Sequence, residues 1–352
     1  MPLPTINIAF KEAASDAIKR SQKGTVALIL KDAAASGALT LTSAAQIPKA
    51  LAADNASYIA RAFLGHTNAP RRVLAYVLGA DAANLDDALA WLGTQTFDYL
   101  CAPPDVTAEQ ARAVKAWILE QRAEHRIYKA VLPHLAADTE AVVNLTTDGC
   151  KVGGVTLDAA AMCSRIAGLI AGTPMANSCT YAPLPELADI GRLTQAAGDA
   201  AVDNGEFILI HDGVKVKVGR AVNSLKTLPA GKSKVYKKIK IVELLDMIDN
   251  DIRVTAADTY IGRGNSYQNK LVLVTAITTY FQQLESEGLL QPGSTVDIDV
   301  EATREYLVQQ GVDISELADQ QIKEHSTDDK VFLTASIVPL DAIEDVSLNI
   351  MI

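Results

Sequence analysis

The stretch TVALIL, residues 25–30, is apolar at five of its six positions. A half-buried strand alternates apolar and polar residues, so this continuous run predicts a strand covered on both faces. Three similar runs follow, namely RVLAYVL at 72–78, FDYLCA at 97–102 and IYKAVLP at 127–133. Between the runs, apolar residues recur at helical spacing in residues 55–64, 85–95 and 107–124. Buried strands that alternate with helices predict βαβ units and a mainly parallel α/β sheet.

The pattern changes after residue 185. Before that point, residues 141–147 predict another strand and residues 157–171 another helix. After it, GEFILIHDGVKVKVGR at 205–220 predicts a hairpin, because Asp212-Gly213 is a strong turn signal. Four helices are predicted at 239–260, 267–287, 300–310 and 314–324, followed by a strand within 330–338. We therefore expect an α/β domain and an α+β domain that meet near residue 190.

Composition and charge exclude several classes of protein. The 352 residues carry a formal net charge of -10, whereas nucleic-acid binding needs a basic surface, so we expect no nucleic-acid partner. The first residues lack a basic segment followed by an apolar run, and the apolar segment at 157–172 is too short to cross a bilayer, so we expect no membrane partner. The four cysteines show no metal-site or disulfide pattern and are expected to be reduced, partly buried thiols.

The segment GTPMA at 172–176 is similar to the Gly-Thr-Ser-Met-Ala segment that carries the nucleophile of subtilisin-type serine proteases at the start of a helix. Asp32 and His66 precede it in the order of such a triad. Pro174, however, stands at the nucleophile's position and has no hydroxyl group. Ser178 and Cys179 follow four and five positions later and would point elsewhere on a helix. We predict no catalytic residues and no enzyme activity.

No cofactor or metal site is predicted either. AGKSK at 230–234 resembles the end of a phosphate-binding loop, but Lys226 occupies the position that requires glycine. The histidines not yet named are scattered without ligand-like spacing. The acidic residues at 246, 249 and 251 are most simply a solvated helix face.

Both ends of the chain have the period of a half-buried strand. TINIAF at 5–10 and VSLNIMI at 346–352 alternate apolar with mostly polar residues. An unpaired apolar strand is an aggregation hazard unless something covers it. Two alternatives follow: the ends pair within their own subunit, or they add strands to neighbouring subunits.

The whole chain resembles the contractile tail sheath proteins of bacteriophages, particularly the short subunits of phages, defective prophages and R-type bacteriocins of Gram-positive bacteria. The resemblance is carried by the ordered stretches INIAFKEAASDAIKRSQKGTVALILKD, GVKVKVGRAVNSLKTL, KKIKIVELLDMIDNDIR, YIGRGNSYQNKLVLVTAITTYFQQLE, VDIDVEATREYLVQQGVD and DKVFLTASIVPLDAIEDVSLNI. It implies a subtilisin-like α/β domain without protease activity, an α+β C-terminal sheath domain and extended terminal β-arms. The implied segments are an N-terminal arm and helix (1–22), the subtilisin-like domain (23–190), the sheath core (191–343) and a C-terminal arm (344–352). GTPMA would be a remnant of a protease sequence, or an accidental similarity, at a strand–helix corner.

The same resemblance implies a structural function without nucleotide. Sheath subunits form six-membered rings stacked helically around an inner tube, with baseplate and tail-terminator proteins as further partners, in a virion tail or a phage-tail-like particle assembled in the host bacterial cytoplasm. The implied inter-subunit arm residues are Thr5, Ile6, Asn7, Ile8, Phe10, Val346, Leu348, Asn349 and Ile350. Two other functions remain open, a non-contractile oligomeric shell protein and a latent subtilisin-like hydrolase.

One basic patch is visible on this acidic chain. It consists of Lys232, Lys234, Lys237, Lys238 and Lys240. These lysines are candidates for contacts with an acidic tube, since weak screened ion pairs are easily released. Simple solubility is the alternative explanation.

Overall fold

The computed structural model describes residue 18 and residues 23–351, and these divide into two compact units. The larger unit contains residues 23–250 and 341–351, and the smaller contains residue 18 and residues 251–340. The sequence-based division into residues 1–22, 23–190, 191–343 and 344–352 places its boundaries elsewhere and stays a prediction. The difference arises because residues 195–250 contribute strands and helices to the core of the larger unit.

A mainly parallel sheet organises the larger unit. Its strands are β1 (Thr25–Asp32), β2 (Gly37–Leu41), β3 (Arg72–Gly79), β4 (Tyr99–Cys101), β5 (Lys129–Pro133), β6 (Val142–Leu145) and β9 (Glu206–Phe207). Their order in the sheet is β2-β3-β1-β4-β5-β6-β9. The strands β7 (Cys150–Val152) and β8 (Val155–Leu157) form a separate hairpin, described below. The edge strand β2 runs antiparallel to β3, and the other neighbours are parallel. A mainly parallel α/β sheet was predicted and is confirmed.

The helices of this part of the chain are α1 (Ala53–Phe63), α2 (Asp86–Leu92), α3 (Ala108–Ala123), α4 (Ala159–Ala171), α5 (Gln195–Asp203) and α6 (Ile239–Thr255). Thr107 caps α3: its hydroxyl accepts from the Gln110 N–H, while the Gln110 side chain accepts from the Thr107 N–H. The sequence did not predict α5, whose apolar residues are mostly alanines.

Both faces of the sheet are covered. Val26, Leu28 and Leu30 of β1 belong to the hydrophobic cluster formed with α1 and α4, whereas Ala27 and Ile29 belong to the opposite cluster with α2 and α3. Two-sided burial therefore explains the continuous apolar run of β1. Gly168 of α4 is needed at the α1–α4 contact, because a Cβ there would lie 1.9 Å from the Ala62 carbonyl oxygen.

Two small antiparallel hairpins complete the strands of the larger unit. One joins β7 (Cys150–Val152) to β8 (Val155–Leu157), and the other joins β10 (Leu209–His211) to β11 (Val216–Val218). The second confirms the hairpin predicted around Asp212-Gly213. Glu206 and Phe207, also assigned to that hairpin, instead pair with β6 in the large sheet.

The smaller unit is built from helices and one small sheet. After α6 a π-helical segment covers Ala256–Tyr260, followed by α7 (Tyr267–Ser286), β12 (Thr295–Ile298), α8 (Val300–Gln309), α9 (Asp319–Glu324) and β13 (Leu333–Ser336). β12 and β13 pair antiparallel. The helix predicted at 314–324 is shorter than expected, since only α9 is helical there. A hydrophobic cluster around Tyr306, Leu307 and Ile322 joins α8 to α9.

A buried charged network attaches α6 to the strands. Asp246 accepts hydrogen bonds from Arg122 Nη1 (3.0 Å) and Nη2 (2.8 Å) and from Lys129 Nζ (2.9 Å). One turn earlier, Glu243 pairs with Lys23 and accepts from the Tyr99 hydroxyl at 2.8 Å. The interpretation of the acidic residues as a solvated face is wrong for Asp246 and for Asp251, since both are buried.

Asp246→Asn is expected to lower the free energy of unfolding of the larger unit by about 3–5 kcal/mol, because it leaves Arg122 and Lys129 without their buried countercharge. Urea denaturation followed by tryptophan fluorescence measures this, since Trp91 and Trp117 both lie in the larger unit. Glu120→Gln, on the exposed side of α3, is the control and should change the free energy by less than about 0.5 kcal/mol. Equal losses in the two variants would contradict the assignment.

The loss of stability in Asp246→Asn is expected to depend on pH. Burial opposes the ionisation of Asp246, but Lys129 and Arg122 outweigh burial and lower its pKa. The stabilisation by ionised Asp246 is therefore complete above the ordinary carboxyl pKa, about 4, and is lost as the pH falls through the lower folded-state pKa. The stability difference between wild type and Asp246→Asn should be constant near neutral pH and shrink in strong acid.

Candidate functional site

The residues that suggested a protease triad have structural roles. Asp32 lies at the end of β1, and its carboxylate accepts from the N–H groups of Ala34 and Ala52, both at 2.8 Å, and from Asn55 Nδ2 at 2.9 Å. These bonds lower the Asp32 pKa to about 2. The Asp32 carboxylate thus fixes the turn after β1 and the entry to α1.

GTPMA follows the end of α4 and begins no helix. The prediction of a strand–helix corner is therefore wrong, and Pro174 is not placed as a nucleophile would be. Gly172 is required by packing, because a Cβ there would lie 2.0 Å from the Asn68 carbonyl oxygen. The Thr173 hydroxyl donates to the Leu169 carbonyl and lies 3.1 Å from His66 Nδ1, so His66 secures this corner. Burial lowers the pKa of His66.

A crevice of about 540 Å³ lies beside the ends of β4 and β5, where α/β enzymes commonly bind ligands. Its lining contains no serine, cysteine or lysine. Its acidic groups already have partners: Asp105 pairs with Lys31 at 3.1 Å, and Asp148 and Asp158 accept from the N–H groups of Ala159 and Ala161, both at 2.8 Å. The lining thus lacks the serine or cysteine with an adjacent base that most acyl-transfer enzymes use.

The described part of the chain shows neither a metal site nor the predicted resemblance to a phosphate-binding loop. It contains no group of three or more His, Cys, Asp or Glu side chains arranged to hold a metal ion. Residues 230–234, which resembled a phosphate-binding loop, lie in an irregular, mostly exposed segment. Among the described helices, none is long and apolar enough to cross a membrane.

The C-terminal segment, residues 341–351, has an unusual attachment to the larger unit. This segment makes no backbone–backbone hydrogen bond and no strand pairing with any of residues 23–351. It is held by side chains instead. Glu344, whose side chain is 6% exposed, accepts from the hydroxyls of Thr180 (2.6 Å) and Ser178 (3.2 Å) and lies 3.2 Å from Lys238 Nζ.

Flanking ion pairs reinforce this attachment. Lys238 Nζ lies 2.5 Å from Asp341, and Arg220 Nη2 lies 2.5 Å from Asp345. Partial burial opposes ionisation of Asp341, but the hydrogen bond from Lys238 outweighs it and lowers the Asp341 pKa. The hydrogen bond to Asp345 raises the pKa of Arg220. We call Ser178, Thr180, Arg220 and Lys238 the socket.

Beyond Asp345 the chain is open to solvent. Val346, Leu348 and Ile350 are 82%, 76% and 74% exposed, and residues 346–351 form neither helix nor strand. The alternating apolar pattern thus has no cover from the described residues of its own subunit. The corresponding N-terminal residues, Thr5 to Phe10, lie outside the described residues, and their pairing stays a prediction.

The five lysines of the predicted basic patch are in different environments. Lys240 is buried, Lys232 pairs with Glu140, and Lys238 belongs to the socket. Lys234 and Lys237 lie on a short 3₁₀ helix, Lys234–Lys237, where Lys234 is exposed and Lys237 half-buried. The five lysines therefore do not form one uniformly exposed basic patch.

Sequence reasoning missed the socket. Ser178 was considered only as a displaced nucleophile and Lys238 only as a candidate tube contact, while Thr180 and Arg220 carried no recognisable motif. These residues and Glu344 come from distant parts of the chain, so no spacing could have indicated the site.

Comparison with known sequences identifies the family. The model of the phage tail sheath protein central domain matches residues 79–224, and that of the phage tail sheath C-terminal domain matches residues 231–352. The tail sheath protein of Clostridium phage phiCD119 is 37% identical over 355 residues, covering 99% of both chains. The phage-like element PBSX protein XkdK of Bacillus subtilis is 29% identical over 171 residues, covering 47% of this chain and 36% of its own.

Solved structures show the same fold. The sheath tail protein of Desulfitobacterium hafniense matches with a TM-score of 0.74 at 18% identity, covering 97% of this chain and 98% of its own. The helical sheath of the anti-feeding prophage in its contracted state matches with a TM-score of 0.72 at 14% identity, covering 100% and 99%. By its two matched domains and its full-length relative, the chain belongs to the phage tail sheath protein family.

Proposed function

We propose that this chain is the structural subunit of a contractile tail sheath, which polymerises helically around an inner tube and contracts to drive the tube through a target envelope. The observation that carries the proposal is the segment 346–351, which is apolar, exposed and without main-chain partners in the described chain. The likeness to a sheath solved in the contracted state supports it. The assembly consists of stacked six-membered rings, with tube, baseplate and tail-terminator proteins as partners, in a virion tail or phage-tail-like particle assembled in the host cytoplasm.

The C-terminal arm is the donor of an inter-subunit strand. Its residues Val346, Leu348 and Ile350 face one side of an extended chain, and Asn349 faces the other. Each main-chain hydrogen bond contributes about 0.5–1.5 kcal/mol net, so several bonds per arm hold neighbouring subunits together. The N-terminal residues Thr5, Ile6, Asn7, Ile8 and Phe10 have the same role in the proposal, on the strength of their sequence.

The sheet of β12 and β13 is the acceptor. Within the described residues each of its strands pairs only with the other, and isolated two-stranded sheets are marginally stable. Residues 334–336 of β13 are exposed. A strand added by a neighbour covers this edge and satisfies its backbone groups.

Deleting residues 346–352 is expected to leave a folded subunit that does not polymerise, because the donor strand is lost while the socket remains. Circular dichroism measures folding and electron microscopy measures polymerisation. A matched pair of variants isolates the apolar face. Leu348→Asp with Ile350→Asp should abolish striated cylinders, whereas Ser347→Asp with Asn349→Asp, which adds the same charge to the other face, should retain them.

Three outcomes would oppose the proposal. Normal cylinders from the deleted subunit would show that the arm is not the link. Closed shells in place of cylinders for the wild type would favour a non-contractile shell protein. Stoichiometric labelling by a serine-reactive fluorophosphonate would favour a latent hydrolase.

Of the candidate lysines, Lys234 and Lys237 are the proposed tube contacts, since the other three are buried or paired. Reversing both to glutamate is expected to weaken co-sedimentation with the inner tube roughly tenfold at low salt, because attraction becomes repulsion and each exposed pair contributes about 0.2–1 kcal/mol. Lys49→Glu with Lys215→Glu makes the same charge change at exposed positions elsewhere and should leave binding unchanged. If the two double variants weakened binding equally, the effect would come from net charge, and Lys234 and Lys237 would not be specific tube contacts.

A further inference from the structure

We propose that Glu344 is a positioning residue that fixes the point at which the C-terminal arm leaves the subunit, an inference that rests on the proposed function of the arm. The segment before the arm has no main-chain bonds to the described chain, so side chains alone decide where it lies. Among these side chains Glu344 is the buried one, whereas the neighbouring Asp341 and Asp345 are 42% and 83% exposed.

The hydroxyls of the socket are oriented before Glu344 arrives. Thr180 Oγ1 accepts from the Ala221 N–H at 3.0 Å and so directs its own hydrogen towards Glu344. Ser178 Oγ accepts from the Thr180 N–H at 3.1 Å. Backbone groups thereby hold both hydroxyls in place. The Thr180 hydroxyl donates to Glu344 at 2.6 Å, whereas the single hydrogen of Ser178 lies between Thr180 Oγ1 (3.0 Å) and Glu344 Oε1 (3.2 Å).

Charge makes the socket selective for a carboxylate. Removing a carboxylate from water is costly unless it is both paired and hydrogen-bonded. The two hydroxyls bind Glu344 Oε1, whereas Oε2 accepts no hydrogen bond and is compensated by the positive charge of Lys238 Nζ at 3.2 Å and Arg220 Nε at 3.8 Å. The segment contains two other carboxylates, but each makes a single surface ion pair of small expected energy.

Anchoring at Glu344 limits the reach of the arm. With the anchor in place, the described residues beyond Asp345 are free. The next upstream backbone bond is from the Leu340 N–H to the Leu289 carbonyl, at 2.8 Å. Without the anchor, residues 341–345 are released as well, and five extended residues add about 17 Å to the reach of the arm. Glu344 therefore determines which edges of a neighbour the arm can reach.

The test is a distance between two spin labels on dilute, unassembled, full-length subunits. Ile343→Cys and Val214→Cys place the labels at exposed positions of the larger unit, and the four native cysteines are buried. Pulsed electron paramagnetic resonance should give a narrow distribution of the distance between the two labels in the otherwise wild-type chain. Adding Glu344→Ala is expected to at least double its width, because residues 341–345 are released.

Two further variants keep the test decisive. Thr180→Val removes the shortest hydrogen bond from the side of the socket and should also broaden the distribution, which covers the case that Glu344→Ala does not fold. Asp345→Asn removes only the exposed ion pair with Arg220 and should broaden the distribution much less than Glu344→Ala does. A narrow distribution in the folded Glu344→Ala variant, or equal broadening by Asp345→Asn, would overturn the assignment.

This measurement is independent of polymerisation. If the wild-type chain forms no cylinders but the distribution broadens as expected, the proposed sheath function fails while the anchoring role of Glu344 stands. If cylinders form and the distribution does not respond to Glu344→Ala, the anchoring role alone fails.

Discussion

Every extended segment of a protein has to satisfy its backbone N–H and C=O groups, and this requirement organises the whole subunit. In the larger unit, β1 to β6 and β9 satisfy one another within a sheet covered on both faces. In the smaller unit, β12 and β13 have only each other in the described chain. The residues after Asp345 have no such partner there. Within the described chain, the outer edges of β12 and β13 and the residues after Asp345 are thus left without main-chain partners of the protein, and in the proposed function a neighbouring subunit supplies them.

The features that resemble an enzyme are used for packing. Asp32 closes the turn after β1, Gly172 permits the approach of Asn68, and His66 contacts Thr173. Ser178 and Thr180, which follow GTPMA, supply two hydroxyls that bind Glu344. The residues that suggested a reactive site therefore hold turns and a chain segment in place.

Sequence patterns predicted those elements whose burial is local in the chain. The runs that became β1, β3, β4 and β5 are apolar because both of their faces are buried, and that pattern is visible without a structure. The short strand β2 was missed, since five residues give no usable period, and β9 was assigned to the hairpin although it pairs in the large sheet. The burial of Asp246 was also missed, because its partners Arg122 and Lys129 are distant in sequence. The socket joins residues near 180, 220 and 238 and holds Glu344, so it too depends on tertiary contacts that no motif encodes.

All four cysteines are free and buried, and burial raises the pKa of each thiol, to about 12 for Cys150 and Cys179. A thiol reacts with oxidants and disulfides mainly as its thiolate, which these environments suppress. Because its sulfur atoms lie inside the core, this chain is protected against random disulfide cross-linking between neighbouring copies in an oxidising medium.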